Sequence, residues 1–146
     1  MSTVLVVGAS RGIGLEFARQ YAADGCRVLA TFRQPEHGER LRALGAEPLA
    51  LDVLEAASRA AFLRRLAGER LDLAILSAGV YGPRTSTIEP PDPVEFDRVM
   101  RTNVLAPMVL IPALAPRLAS PGGKLAVLSS RMGSTTLMGS GYGWLY

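Results

Sequence analysis

An α/β domain, with a doubly wound parallel sheet covered by helices on both faces, is the fold class this sequence predicts. Three observations carry that expectation. Short β-branched apolar runs alternate with longer amphipathic segments along the chain. The first run, Val4-Leu5-Val6-Val7, is apolar at every position, as a strand buried on both faces must be. A glycine-rich turn then joins that run to the first helical segment.

The elements follow in order. Residues 8–14 break the first strand, and a helix runs from there to about Ala23 with Ile13, Phe17 and Tyr21 on one face, stopped by Asp24-Gly25. A second strand is predicted over 27–31 and a helix near 36–44, ended by Gly45. Further strands fall at 47–51, 71–76 and 124–128, with helices over about 55–66 and 93–118 between them. This alternation implies right-handed crossovers and a parallel sheet, and in a Rossmann-type doubly wound sheet the five strands are expected in the order 3-2-1-4-5. Pro107, Pro112 and Pro116 fall within the last helix, and an interior proline costs on the order of 3 kcal/mol. That helix is therefore either kinked, or starts after Pro107 and is broken again. The proline- and threonine-rich stretch 81–93 reads as an ordered loop over the sheet edge, and no repeat or low-complexity linker divides residues 1–146 into more than one domain.

Composition narrows the function classes. A chain of 146 residues that is 49% hydrophobic and 20% charged can bury a core. The net charge is +3, and the basic residues (one Lys, the rest Arg) are scattered, so a nucleic-acid partner is not expected. Cys26 is the single cysteine, which excludes an intrachain disulfide, suits a reducing compartment and reads as a buried inert thiol. His37 stands in a polar stretch and reads as surface; no metal site is expected. The N-terminus lacks a signal pattern, and the most apolar stretch, 104–116, is too short to span a bilayer. A cytoplasmic protein with no membrane partner is expected.

The turn Gly8-Ala9-Ser10-Arg11-Gly12-Ile13-Gly14 carries the functional signal. Gly8 permits a tight turn, Gly12 lets backbone approach a pyrophosphate, and Gly14 allows the helix to pack closely on the sheet. The helix start then offers free N–H groups and a positive dipole end to phosphates, with Ser10, Arg11 and Ile13 beside them. NAD-selective sites of this Rossmann type place an acid near the end of the second strand to accept from the ribose 2′-OH. Here Leu29-Ala30-Thr31-Phe32-Arg33 holds none, and Arg33 with Arg11 is placed to clamp a 2′-phosphate. NADP(H) is the expected cofactor.

The G-x-x-x-G-x-G spacing resembles the cofactor turn of the short-chain dehydrogenase/reductase family, though Val7 stands where members often have Thr. The resemblance implies that Asp52 and Val53 meet the adenine; Asp52 is also placed to cap the following helix. Ala78 and Gly79 match the second half of the family's Asn-Asn-Ala-Gly motif, whose asparagines are replaced by Leu76 and Ser77. Asn103, in Thr102-Asn103-Val104, resembles the asparagine that sits in a local helix irregularity and helps hold a water of the proton relay. In Leu128-Ser129-Ser130-Arg131-Met132-Gly133, Ser130 matches the carbonyl-orienting serine, with Ser129 or Ser134 as alternatives.

Two tyrosines compete for the catalytic acid. Tyr146 fits a carbonyl-reductase-like branch with a Gly/Tyr-rich approach; Tyr142 fits the commoner spacing but has Tyr146, not Lys, four residues on. With Tyr146 as the acid, the family's lysine falls at position 150, beyond the sequence, and a tyrosine with an ordinary pKa of about 10 needs such a cation to work near neutral pH. Two functions stay open: the first part of an NADPH-dependent carbonyl reductase or alcohol dehydrogenase, acting on a small carbonyl or alcohol and associating as a homo-oligomer, or a dinucleotide-binding or interaction module without turnover. The C-terminal part of the fold is expected to be absent, leaving the fifth strand as an unprotected edge.

Overall fold

The computed structural model describes residues 1–84, 89–134, 136–137 and 145–146. Strands β1 (Thr3–Val7), β2 (Arg27–Phe32), β3 (Glu47–Ala50), β4 (Leu73–Leu76) and β5 (Lys124–Val127) form one sheet of order β3-β2-β1-β4-β5, every neighbouring pair parallel. The fold class and strand order are those expected of a Rossmann-type doubly wound sheet.

Because side chains alternate across a strand, β1 splits its apolar run between the two faces. Leu5 and Val7 face α3 (Ala56–Arg65) and α5 (Ala106–Leu114), packing with Phe62, Leu66, Leu110 and Leu114. Val4 and Val6 face α1 (Gly12–Ala23) and α2 (Glu36–Ala43), packing with Ala18 and Leu41. Cys26 is half-buried against this second layer. Residues Val4–Val7 of this central strand thus have no water-facing side and are all apolar, while the one polar residue, Thr3, is only half-buried.

The segment over 93–118 resolves the proline problem by changing helix type. Asp92 caps α4 (Pro93–Met100) by accepting from the N–H groups of Val94 (2.9 Å) and Glu95 (3.1 Å), with Pro93 in the first turn, where its missing N–H costs nothing. Residues Arg101–Leu105 form a π-helical segment, followed by α5 and a 3-10 turn over Ala115–Arg117. Pro107 has no N–H for the carbonyl of Asn103 four residues earlier, so the α-helical ladder is interrupted there. Neither a simple kink nor a restart after Pro107 describes the result.

This continuous helical run, 93–117, is 25 residues long and, by length and composition alone, apolar enough to cross a membrane, as the stretch 104–116 by itself is not. Val99, Thr102, Ala106, Leu110 and Leu114 recur every three or four positions on its buried stripe, as in a helix covering a sheet.

Candidate active site

The C-terminal ends of the five strands open on one cleft of about 810 Å³, the position where doubly wound sheets bind ligands. Its floor is set by the glycine turn. Gly8 has φ +87°, and a Cβ there would lie 2.6 Å from the Ala78 nitrogen. A Cβ on Gly14 would sit 2.1 Å from the Gly8 carbonyl oxygen, so α1 can close onto β1 only with glycine at that position. Gly12 has φ +58° and open space where its side chain would be. No side chain caps the start of α1, whose Arg11 N-cap is extended. Gly12 and Ile13 line the cleft, and among the described residues no side chain satisfies the first N–H groups of the helix.

The turn is held from β2. Thr31, 2% exposed, accepts from the Gly8 N–H through Oγ1 (2.8 Å), and its carbonyl accepts from Ala9 N–H (2.9 Å). Sequence reasoning missed this residue; its only signal is a hydroxyl inside an otherwise apolar strand.

Gly8, Ser10, Arg11, Gly12, Ile13, Arg33, Asp52, Val53, Ala78, Gly79, Asn103, Ser130 and Tyr146 all line the cleft, and Gly14 packs beneath it. Arg11 and Arg33 are exposed, and among the described residues their guanidinium groups make no hydrogen bond or ion pair. Arg19, Arg27, Arg42, Arg98 and Arg101, in contrast, are all paired with carboxylates. Asp52 is the one carboxylate on the described wall. His37, read as surface from its polar neighbours, is instead a half-buried part of this wall, and its Nδ1 is buried without a hydrogen-bond partner. Nothing in the local sequence marks it, because α2 is placed there by tertiary packing.

Asp52 does not cap α3. Its Oδ1 accepts from Leu54 N–H (2.9 Å) in a turn before the helix, its own N–H donates to Ser58 Oγ (2.8 Å), and Glu55 occupies the N-cap without a side-chain bond. At the other end of the cleft, Asn103 lies in the π-helical segment and clamps the chain leaving β4. Its Oδ1 accepts from Val80 N–H (2.9 Å) and its Nδ2 donates to Val80 carbonyl (2.8 Å). One of its two amide hydrogens and one of its oxygen lone pairs are thereby engaged with backbone.

Ser130 Oγ accepts from Met132 N–H (3.2 Å), and among the described residues no acceptor takes its own hydrogen. Ser129 also lines the cleft, whereas Ser134 lies off it. Tyr146 is 42% exposed and stacks on Tyr81, ring centroids 4.9 Å apart and planes 28° apart. Tyr142 lies outside the described residues.

A glycine-cradled helix start, unpaired cations at one end of a strand-end cleft and a serine and tyrosine at the other define a dinucleotide-type α/β site. The family model for short chain dehydrogenases matches residues 2–143, and the chain belongs to that family. It is similar to L-xylo-3-hexulose reductase of Hypocrea jecorina (32% identity, 92% of this chain and 54% of the relative). It is likewise similar to D-threitol dehydrogenase of Mycolicibacterium smegmatis (31%, 92% and 54%). Among solved structures it resembles a carbonyl reductase from Pseudomonas aeruginosa PAO1 in complex with NADP: TM-score 0.89, 34% identity, 100% of this chain and 69% of that one. The chain spans about half the length of the relatives it matches by sequence.

Proposed function

We propose that this chain forms the NADP(H)-binding part, residues 1–146, of an oxidoreductase that interconverts a small carbonyl compound and its alcohol. The observation that carries the reading is the pairing of a glycine cradle with two unpaired guanidinium groups, Arg11 and Arg33, on a wall whose one described carboxylate is Asp52. The pyrophosphate would rest on the open N–H groups of α1, where the helix dipole favours anions. Arg11 and Arg33 would fork onto the 2′-phosphate, and Asp52, with one carboxylate oxygen taken by Leu54, would offer the other to the adenine amine. Backbone at Val53, Ala78 and Gly79 would complete the floor. A likeness to an NADP-bound carbonyl reductase supports the same cofactor.

The bound nicotinamide supplies or accepts the hydride, and the chain's own groups handle the oxygen and its proton. Ser130 donates a hydrogen bond to the carbonyl oxygen, which its orientation toward Met132 N–H leaves it free to do. Tyr146 delivers the proton to the same oxygen as it becomes an alkoxide, and takes it back in the oxidative direction. Asn103 gives one side-chain donor and one acceptor to the β4 loop, and any water it holds is bound through its remaining amide hydrogen or its main-chain carbonyl, which Pro107 cannot satisfy.

The test is carbonyl-dependent oxidation of NADPH by the purified protein, using 4-nitrobenzaldehyde as a reactive probe. Turnover lost at least about 100-fold in both Ser130→Ala and Tyr146→Phe, with NADPH affinity kept, supports the assignment. NADPH binding without any turnover would make the chain a dinucleotide-binding module instead.

A further inference from the structure

One side chain outside the expected set touches the supports of all three candidate catalytic residues. Tyr81 directly follows Val80, whose N–H and carbonyl are both held by Asn103. Its ring stacks on Tyr146 at 4.9 Å between centroids. Its hydroxyl donates to Met132 Sδ (3.3 Å), and the N–H of Met132 is bound by Ser130 Oγ. The Arg84 guanidinium carbon lies 5.4 Å from the Tyr81 ring centroid, adding a cation–π contact.

From this geometry we propose that Tyr81 is a positioning residue, which sets the tilt and place of the Tyr146 ring relative to Ser130. The inference rests on the reading of Tyr146 as the proton donor. A phenol reaches its acceptor at the end of a side chain free to rotate about two bonds, and Tyr146 is 42% exposed, with the Tyr81 ring stacked on it among the described residues. Offset stacking removes most of that freedom, since the ring can neither tilt nor slide without losing the contact. The plane against which it stacks is itself pinned twice, by the O–H···S bond at its tip and by the Asn103 clamp at its backbone. Misplacement of a reacting group by about 1 Å costs on the order of 100-fold in rate, so this restraint bears on turnover rather than on cofactor affinity. Phenylalanine at position 81 would stack but lose its tether to the turn that carries Ser130.

The test compares Tyr146→Phe, Tyr81→Leu, Tyr81→Phe, Met132→Leu and the Tyr81→Phe/Met132→Leu double variant. NADPH affinity is measured by fluorescence, and kcat and KM with 4-nitrobenzaldehyde. Tyr81→Leu is expected to lower kcat about ten-fold with KM and NADPH affinity unchanged. Tyr81→Phe and Met132→Leu are each expected to lower kcat about three-fold. The double variant should match either one alone, because both delete the same tether. Should Tyr81→Leu not fold, this three-variant cycle decides the matter by itself. Full kcat in the Tyr81 and Met132 variants alongside an inactive Tyr146→Phe overturns the inference and leaves the assignment of Tyr146 standing. A raised KM with intact kcat makes Tyr81 a substrate contact and also overturns it. Undiminished turnover in Tyr146→Phe overturns both.

Discussion

At the scale of single residues, the glycine turn is the part of the site where sequence and geometry agree most closely. Gly14→Ala would drive a Cβ to 2.1 Å from the Gly8 carbonyl, a contact only backbone movement can relieve. The expected outcome is a fall in melting temperature together with loss of NADPH affinity; Gly12→Ala, with open space at its Cβ, should keep its packing and lose mainly its backbone freedom. Arg33→Ala removes a charge-assisted contact to the 2′-phosphate and should weaken NADPH binding about 10- to 100-fold while leaving NADH binding within about two-fold. Isothermal titration with both cofactors checks it, and equal losses for the two would assign Arg33 elsewhere. The glycines were legible because a positive φ or a close backbone approach favours glycine, and Arg33 is legible as a candidate because an arginine where an acid is usual is a change of charge visible in one chain. His37 and Tyr81 were not legible, and Thr31 only as a hydroxyl in an apolar run, because what each of them touches is set by tertiary packing.

At the scale of elements, the strands were readable from apolar periodicity and their order from the doubly wound fold class, and the long helical run over 93–117 was readable as a helix but not in its internal form. Three prolines announced a disturbance there but did not say which, since a kink, a restart and a π-helical segment all answer a missing N–H. What selects the π-helical segment is its partner: the loop leaving β4, to which Asn103 supplies one donor and one acceptor. Asn103→Leu removes both bonds and leaves the part-buried Val80 N–H and carbonyl without them, a loss of about 2–3 kcal/mol. Amide hydrogen exchange should show Val80 losing protection while β1 and β2 keep theirs; unchanged protection at Val80 would remove the clamp from the account. Asp52 teaches the same lesson in miniature. An acid just before a helix reads as its cap, yet the chain makes one further turn first, and the side chain serves that turn.

At the scale of the whole molecule, the sheet has two functional ends. Its N-terminal end is tied electrostatically: the Arg27 guanidinium on β2 forks to Glu47 on β3 (2.7 and 3.0 Å) and to Glu69 before β4 (2.6 and 3.0 Å). Hydrogen bonding from Arg27 holds the Glu69 carboxyl below the usual carboxylate range. A carboxyl lowered in the folded state stabilises fully above its unfolded value, about 4.3, and loses that contribution as pH falls through its folded value. Glu69→Gln should therefore melt about 2–4 °C lower than the parent at pH 7, with the gap closing as pH falls below about 4. A gap that stays constant with pH would mean the carboxylate charge is not what Glu69 contributes. The C-terminal end of the sheet is the opposite case, with Arg11 and Arg33 over an open cleft and unpaired among the described residues. Fluorescence titration of the purified chain with NADPH and with NADH probes that contrast directly. Saturable binding of NADPH at least about ten-fold tighter than NADH is the expected result, and equal affinity for the two, or none for either, would contradict it.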